Sequence, residues 1–300
     1  MRQKIFFTCI LLISMAVTGM AAKPKANHLV YIGLDGWGAY SIAKADMPTV
    51  KNLMQKGCYT LQKRTVLPSS SAPNWASMFM GAGPELHGYT QWGSKTPELP
   101  SRVILKHNIF PTIFQVYRDA NPQAEIGVLS EWIGIKYLID TLSVNHYALA
   151  PDYTKHPQAL CNMATDYIKT KRPQLVAIVF DNPDHIGHQI GHDTKEYYDK
   201  LKELDGYIAR IVKAVEDAGM LNETVFILTS DHGGIKKGHG GITMAEMETP
   251  FIISGKGIRQ GGAFKESMMQ YDIAATMAYV LGIKHLPQVW IGRPMLQVFK

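Results

Sequence analysis

Short apolar runs alternate along the chain with longer segments in which apolar residues recur every three or four positions. The short runs cover residues 28–34, 125–129, 175–180, 224–229 and 251–253. Strands buried on both faces of a sheet have this nearly continuous apolar character, and strands separated by helices pair in parallel. The pattern therefore predicts the α/β fold class, with a doubly wound, mostly parallel sheet and helices on both faces.

Helices are predicted where the apolar period lengthens and where proline or glycine marks a boundary. The predicted helices are 48–57, 71–81, 158–170, 194–218 and 272–281. Proline is favoured in the first turn, as at Pro48, and glycine just past the last turn, as at Gly219 and Gly282. Segments 91–107 and 131–152 are predicted to be loops over a site. No internal repeat or linker divides the sequence, so one domain is expected.

Composition restricts the class of protein. Of the 300 residues, 46% are hydrophobic and 19% are charged, which is typical of a soluble globular chain and excludes disordered, collagenous and polytopic membrane proteins. The formal net charge of +6 is mild, and the sequence has no dense block of Lys and Arg. Binding of a nucleic-acid polymer through phosphate neutralisation is therefore not indicated.

The first 22 residues have the pattern of a secretory signal peptide. A basic stretch at 1–4 precedes a mostly apolar run at 5–20, and Ala21 and Ala22 supply small residues for cleavage. The alternative is a retained anchor, but a run of roughly 16 residues is shorter than the ~20 that span a bilayer. We expect residues 1–22 to be removed, leaving no stable membrane anchor, and residues 23–300 to act in the periplasm or after secretion.

Two cysteines, Cys58 and Cys161, lie beyond this segment. In an oxidising compartment they could pair, or they could lie buried as small hydrophobic residues. We expect two free thiols.

Carboxylate and imidazole side chains follow three of the predicted strands. They are Asp35 after 28–34, Asp184 and His188 after 175–180, and Asp231, His232 and His239 after 224–229. A single Asp at such a place is usually a cap of a turn or helix. Ligands bind beyond the carboxyl ends of strands in α/β sheets, and Asp and His are zinc-ligand types. Their coincidence at three strand ends predicts a metal site.

A serine-rich segment, from Pro68 to Asn74, leads into the predicted helix at 71–81. A serine at a helix start is commonly an N-cap, and the same place offers free N–H groups and the positive dipole end to a phosphate. A serine hydroxyl becomes an effective nucleophile where a divalent metal helps to deprotonate it. The segment therefore predicts a helix cap and a candidate nucleophile together.

Taken in order, these motifs resemble the alkaline phosphatase superfamily, and within it the type I phosphodiesterase/nucleotide pyrophosphatase family. The resemblance runs from about residue 35 to residue 292 and depends on the ordered set of motifs. The motifs are Asp35-Gly36, Met47-Pro48-Thr49, Pro68-Ser-Ser-Ser-Ala-Pro-Asn74, Gly81, Pro84-Glu85-Leu86-His87-Gly88, Asp184-x-x-Gly-His188, Asp231-His232-Gly233 and His239-Gly240. The tail, Tyr271-Asp272-Ile273-Ala274-Ala275-Thr276 followed by Leu281-Gly282-Ile283, is similar to the late helix of phosphatases and sulfatases.

The resemblance implies an alkaline phosphatase-like catalytic domain over residues 23–300 that cleaves small-molecule phosphoric esters, above all phosphodiesters, with two zinc ions. Other divalent metals are compatible with the same ligand types. One ion would be held by Asp184, His188 and His239, and the other by Asp35, Asp231, His232 and Ser71. Ser71 would be the nucleophile that forms a covalent phosphoserine, because in the family the nucleophile stands two residues before the Pro and three before the Asn. His185 and His192 match no ligand position and are expected at the rim or surface.

Two positions near the nucleophile differ from the family pattern. The family most often has a Thr nucleophile followed by an aromatic residue that stacks on a nucleotide base, whereas Ala72 follows Ser71 here. The Asn that binds the substrate oxyanion in the family falls at or near Trp92. We expect Asn74 and Trp92 to contact the substrate, with no strong preference for nucleotides.

Three tryptophans, Trp37, Trp75 and Trp92, lie at or near the site motifs. Ordinary packing would explain each of them equally well, but an aromatic rim favours an ester with a bulky organic group.

Other functions remain open at this point. They are a phosphomonoesterase, a phosphonate hydrolase or a sulfatase of the same superfamily, and a catalytically inactive periplasmic binding protein that kept the fold. A sulfatase needs Cys or Ser in a C/S-x-P-x-R context, and Trp75 stands where that Arg is required. The sequence leaves the oligomeric state open.

Overall fold

Eight β-strands and nine α-helices form the regular structure of residues 24–300, the part of the chain that the computed structural model describes. The predicted signal segment, residues 1–22, lies outside the described residues. The strands are β1 (His28–Leu34), β2 (Cys58–Arg64), β3 (Ile126–Ser130), β4 (His146–Leu149), β5 (Leu175–Phe180), β6 (Thr224–Thr229), β7 (Glu248–Gly255) and β8 (Gly262–Ala263). The helices are α1 (Pro48–Lys56), α2 (Ser71–Met80), α3 (Pro84–His87), α4 (Ile113–Ala120), α5 (Ala159–Lys171), α6 (Asp184–Gln189), α7 (Lys195–Asp217), α8 (Met244–Met247) and α9 (Asp272–Val280). Within residues 24–300, none of these helices has the length and apolar character needed to cross a lipid bilayer.

All eight strands belong to one sheet, in the order β4-β3-β5-β1-β6-β7-β2-β8. The central strand β1 pairs in parallel with β5 on one side and with β6 on the other. Strand β7 pairs antiparallel with β6 and β2, and the remaining pairs are parallel. The predicted fold class, a mostly parallel α/β sheet, is confirmed.

Two apolar cores cover the two faces of the sheet. Leu29 and Tyr31 of β1 belong to one core, and Val30 and Ile32 belong to the other, because successive side chains of a strand point to opposite faces. Helices α2, α4 and α9 pack into the first core, and α1, α5 and α7 pack into the second. Helices therefore lie on both faces, as predicted.

Parallel pairing brings the carboxyl ends of β5, β1 and β6 to one edge of the sheet. The register pairs Leu34 with Phe180 and Gly33 with Thr229. The residues that follow these three strands therefore start from adjacent positions, at the edge where ligands bind in α/β proteins.

The predicted elements agree closely with those in the structure. Strands 28–34, 175–180 and 224–229 have the predicted bounds, and each predicted helix begins and ends within one residue of its prediction. The strand predicted at 251–253 is longer and antiparallel.

The structure also contains elements that the sequence prediction missed, including β2, β4, β8 and α4. The segment 131–152, predicted to be a loop, contains β4, which is a four-residue edge strand without a buried residue. Strand β2 ends in the polar run Gln62, Lys63 and Arg64, so it lacks the apolar signature of a central strand. The other predicted loop, 91–107, contains no strand or helix.

Cys58 and Cys161 are buried free thiols. They belong to the cores on opposite faces of the sheet, so the sheet separates them. The expectation of two free thiols is confirmed.

Candidate active site

The carboxyl edge of β5, β1 and β6 gathers the predicted metal ligands into two adjoining clusters. The first contains Asp184, His188 and His239, and the second contains Asp35, Asp231 and His232. Helix α6 begins at Asp184 and carries His188 one turn later on the same face. The clusters adjoin because the His232 and His239 rings stack with their centroids 3.7 Å apart.

In the first cluster, three ligand atoms face one another. Asp184 Oδ2 lies 3.2 Å from His188 Nε2 and 3.8 Å from His239 Nε2. The two Nε2 atoms of His188 and His239 are 3.1 Å apart.

In the second cluster, three oxygens surround one imidazole nitrogen. His232 Nε2 lies 3.4 Å from Asp35 Oδ1, 3.3 Å from Asp231 Oδ2 and 3.2 Å from Ser71 Oγ. Among the described residues, the two carboxylate oxygens are buried without a hydrogen-bond partner. Such buried lone pairs carry a free-energy cost unless a proton or cation satisfies them.

The three histidines present the same nitrogen to these clusters. His188 Nδ1 contacts Lys237 O at 2.9 Å, His232 Nδ1 contacts Gly233 O at 2.8 Å, and His239 Nδ1 contacts Ser69 O at 3.1 Å. A carbonyl only accepts, so each Nδ1 donates and each neutral ring directs its Nε2 lone pair into the site. Metal-ligating histidines are oriented in this way.

The spacing of the ligand atoms fits divalent cations. Tetrahedral coordination with bonds of about 2.0–2.2 Å separates ligand atoms by roughly 3.3–3.6 Å, and the separations given above lie between 3.1 and 3.8 Å. One atom from each of Asp35, Asp231 and His232, and one from each of Asp184, His232 and His239, also fall within 4.8 Å of one another. The donor types therefore fit a cation in each cluster, and the orphaned oxygens of Asp35 and Asp231 add to the fit of the second.

Electrostatics points to the same need for positive charge. Burial raises the pKa of Asp35 and Asp231 well above the usual carboxyl range, and neighbouring carboxylates add to the effect. Burial alone would raise the pKa of Asp184 too, but its hydrogen bond with His188 and the charges of nearby histidines hold it below its usual value. The hydrogen bond with Asp184 raises the pKa of His188 to about 9. Metal-free protein therefore holds protons where cations would bind.

Two carboxylates are held by hydrogen bonds from behind. Trp75 Nε1 donates to Asp35 Oδ2 at 3.1 Å, and Gly36 N donates to Asp231 Oδ1 at 3.2 Å. Each carboxylate thus uses one oxygen for the protein and leaves the other to the second cluster, as ligating carboxylates do in metal sites. Nothing in the local sequence distinguishes this role of Trp75 from core packing.

His192 is a site residue that sequence reasoning missed. It was expected at the rim or surface, but its side chain is fully buried, with Nε2 3.5 Å from Asp184 Oδ1. The ring fits because Gly187 and Gly234 lack side chains, since a Cβ at either position would lie 2.3 Å from it. Burial lowers the pKa of His192 to about 4, so the ring is neutral at pH 7. His185 is partly exposed, as expected.

The three consecutive serines have different environments. Ser71 Oγ lies 3.2 Å from His232 Nε2. Ser69 Oγ donates to Gly241 O at 2.7 Å and accepts from Gly240 N at 3.2 Å. Ser70 Oγ is buried without a partner among the described residues. Ser71 is therefore the serine of the three whose hydroxyl reaches a candidate ligand.

Asn74 holds the backbone of the serine-rich segment at 68–74, called the serine loop below. Its Oδ1 accepts from Val66 N at 2.8 Å, and its Nδ2 donates to Ser70 O at 2.9 Å and to Pro68 O at 3.1 Å. The side chain is fully buried. This differs from the expectation of substrate contact, because backbone groups already occupy both ends of the amide.

The first turn of α2 offers fewer free N–H groups than its position predicts. Ala72 N donates to Trp92 O at 3.1 Å, and Pro73 has no N–H. This hydrogen bond places Trp92 beside the segment that contains Ser71, and Trp92 is 67% exposed. Trp37 and Trp75 are fully buried, so the expected aromatic rim is reduced to Trp92.

Several known proteins are similar to this chain in sequence. The model of the type I phosphodiesterase/nucleotide pyrophosphatase family matches residues 29–247. The bis(5'-adenosyl)-triphosphatase of Mus musculus is 24% identical over 226 residues, which is 72% of this chain and 49% of that protein. The chain spans about half or less of the length of the curated relatives that it matches first.

Solved structures show the same fold. Murine ectonucleotide pyrophosphatase/phosphodiesterase 5, in an inactive threonine-to-alanine form in complex with AMP, superposes with a TM-score of 0.73 at 15% identity and covers 91% of this chain and 98% of that chain. A 2-O GAG sulfatase superposes with a TM-score of 0.70 at 16% identity and covers 90% of this chain and 73% of that chain.

Proposed function

Since the chain belongs to the type I phosphodiesterase/nucleotide pyrophosphatase family, we propose that it is a zinc-dependent hydrolase that cleaves phosphodiesters through a covalent intermediate on Ser71. The observation that carries the proposal is the convergence of the two ligand clusters beside the Ser71 hydroxyl, 3.2 Å from His232 Nε2. Lone pairs that face one another at this spacing repel unless protons or cations lie between them.

We assign one cation to each cluster. Asp184, His188 and His239 would hold the first, and Asp35, Asp231, His232 and Ser71 would hold the second. Bound there, two divalent cations would favour the serine alkoxide and stabilise the attacking and leaving oxygens of an in-line displacement. Three carboxylates and one alkoxide balance two dications, so the loaded site is neutral before an anionic substrate arrives.

Ser71 supplies the nucleophile of a two-step hydrolysis. Its Oγ forms a bond to phosphorus, the bond from phosphorus to the leaving alcohol breaks, and the hydroxyl proton leaves with that alcohol. Water then attacks the phosphoserine, which restores the hydroxyl and releases a phosphomonoester. Because His232 Nδ1 donates to Gly233 O at 2.8 Å, its Nε2 carries no proton that would hydrogen-bond to Ser71 and weaken the nucleophile. In the murine relative, a threonine-to-alanine form is described as inactive, which is the loss we expect at Ser71.

The preferred substrate is a phosphodiester with a bulky organic group. A monoester dianion is best bound by an added cationic donor such as Arg, and residues 69–83 contain none. The exposed Trp92 gives the ester group an apolar face, whereas Ala72 is fully buried and offers no surface to a nucleotide base. We therefore propose no strong preference for nucleotides.

A substrate panel tests this function. The panel is p-nitrophenyl phosphate, bis-p-nitrophenyl phosphate, a phenylphosphonate ester and p-nitrophenyl sulfate, each with and without a chelator. We expect the diester to have the highest kcat/KM and the sulfate ester the lowest, with all activity lost on chelation. A tenfold or greater preference for p-nitrophenyl phosphate would move the protein to the monoesterases, and a preference for the phosphonate or sulfate ester would move it to those branches.

Metal content separates the enzyme from an inactive binding protein. We expect about two zinc ions per chain in the purified protein. A chain without metal and without activity on any ester of the panel would support the binding protein instead.

We also propose that residues 23–300 act as a single catalytic domain outside the cytoplasm. All eight described strands join one sheet, and residues 1–22 have the signal pattern. Expression of the full sequence followed by cell fractionation and mass spectrometry of the amino terminus tests both points. A cytoplasmic protein that retains residues 1–22 would contradict them.

A further inference from the structure

A buried lysine lies behind the second cluster. Lys63 of β2 is fully buried, which is rare for a lysine because its head group must find partners inside the protein. The residues of the proposed mechanism do not include it, and it lies on a strand away from β5, β1 and β6.

A β-bulge turns this side chain inward. Strand β2 pairs Thr60 with Phe251 and Lys63 with Thr249, so three steps on β2 oppose two on β7. Without the bulge, alternation from the buried Cys58 and Thr60 would bury position 62 and expose position 63. Bulges re-aim side chains in this way and are enriched beside active sites.

Lys63 and Gln270 together donate hydrogen bonds to the backbone carbonyls that directly follow β6. Lys63 Nζ donates to Ser230 O at 2.9 Å and to Gln270 Oε1. The fully buried Gln270 donates from Nε2 to Ser230 O at 3.2 Å and to Asp231 O. Ser230 Oγ donates to the next carbonyl, that of His232, at 2.8 Å. All three consecutive carbonyls therefore accept a hydrogen bond from a side chain.

We propose that Lys63 and Gln270 are a positioning pair that fixes the backbone carbonyls of Ser230 and Asp231, and thereby aims the Asp231 carboxylate and the adjacent His232 imidazole at Ser71. The inference rests on the proposed function, because it assigns the pair to the metal cluster of that function. Its reason is geometric. The pair holds the carbonyl of the residue before Asp231 and the carbonyl of Asp231 itself, and the ligand atoms of Asp231 and of the next residue, His232, lie 3.3 Å apart.

The test measures zinc affinity directly on metal-free protein, by competition with a chromophoric chelator. Lys63→Met removes the donors at nearly constant length, and we expect zinc affinity to fall about 10–100-fold, as when outer partners of metal ligands are removed. Because the pair touches no substrate, kcat on bis-p-nitrophenyl phosphate should fall while KM changes less than about threefold.

Two further variants separate positioning from general destabilisation. The exchange variant Lys63→Gln with Gln270→Lys returns both donor types to the same contact and should recover most of the lost affinity. Ile168→Ala opens a core cavity beside α5, a helix that carries no proposed ligand, and should lower the melting temperature without changing zinc affinity. Gln270→Met removes the Gln270 hydrogen bonds and leaves Lys63 in place. It replaces Lys63→Met in the test if that variant does not fold.

The outcomes are distinguishable. Unchanged zinc affinity in folded Lys63→Met or Gln270→Met would overturn the positioning pair and leave the proposed function intact. Equal losses of affinity in Ile168→Ala and Lys63→Met would also overturn it. Wild-type protein that binds no zinc would overturn the proposed function and the inference with it.

Discussion

The serine loop provides a graded test, because alanine at three neighbouring positions removes three different sets of contacts. Ser71→Ala removes a hydroxyl whose contact is His232 Nε2 at 3.2 Å. Ser69→Ala removes hydrogen bonds to Gly241 O and Gly240 N. Ser70→Ala removes a hydroxyl that has no partner among the described residues.

The structure sets a different magnitude for each change. Loss of the covalent route in Ser71→Ala should lower kcat at least about a thousandfold, or roughly 4 kcal/mol of transition-state stabilisation. Two hydrogen bonds at about 0.5–1.5 kcal/mol each are lost in Ser69→Ala, so its kcat/KM should fall roughly tenfold to a hundredfold through the loop that carries His239. Ser70→Ala loses no hydrogen bond and should remain within about twofold of wild type.

The assay is kcat and KM on bis-p-nitrophenyl phosphate for the three variants, with zinc content and thermal unfolding measured on the same samples. Ser71→Ala should stay folded and keep its zinc, since six of the seven proposed ligands remain. An active Ser71→Ala beside an inactive Ser70→Ala would refute the assignment and move the nucleophile one residue earlier. Equal effects at all three positions would show that the loop acts only as structure.

Three other predictions test the surroundings of the site. Chelation should lower the melting temperature by at least about 10 °C, because each bound ion at a thousand times its Kd contributes about 4 kcal/mol and each kcal/mol is worth about 2–4 °C in a large domain; an unchanged melting curve after verified metal removal would contradict the two clusters. Trp75→Phe removes the 3.1 Å hydrogen bond to Asp35 and should weaken zinc binding about 10–100-fold in a chelator competition; wild-type affinity would assign Trp75 to packing alone. Burial raises the pKa of Glu131 from 4.5 to about 8, so the unfolded chain releases this proton at lower pH and the free energy of unfolding should fall as pH rises from about 4.5 to 8. In Glu131→Gln, the fall in the free energy of unfolding from pH 5 to pH 8, measured by urea unfolding, should be smaller by up to a few kcal/mol. An unaltered fall would show that Glu131 is not its source.

Much of the site is predictable because its chemistry follows strands that are locally recognisable. The apolar runs of β1, β5 and β6 identify the strands, and Asp35, Asp184 and Asp231 come shortly after their ends. Parallel strands place their carboxyl ends at one edge, so residues far apart in the chain could be assigned to one place before any contact was known.

Burial of polar side chains was not predictable from the same information. His192 was expected at the rim and lies fully buried against Asp184, and Asn74 was expected to contact substrate and instead binds the backbone of its own loop. Polar residue types are usually exposed, and the exceptions depend on partners supplied by distant segments, such as Gly234 for His192.

Periodicity and residue type reach as far as the next few positions of a strand or helix, and within that range they were sufficient for the parallel sheet, the helix bounds, the ligand types and the serine at the start of α2. Long-range register lies beyond that range. One extra residue in β2 turns Lys63 inward to Ser230. Backbone carbonyls from segments distant in sequence, Lys237 O and Ser69 O, accept the hydrogen bonds that orient the His188 and His239 imidazoles. A slip of one residue in a strand moves a side chain to the opposite face, so these contacts follow from how the strands and loops pack and from no local pattern.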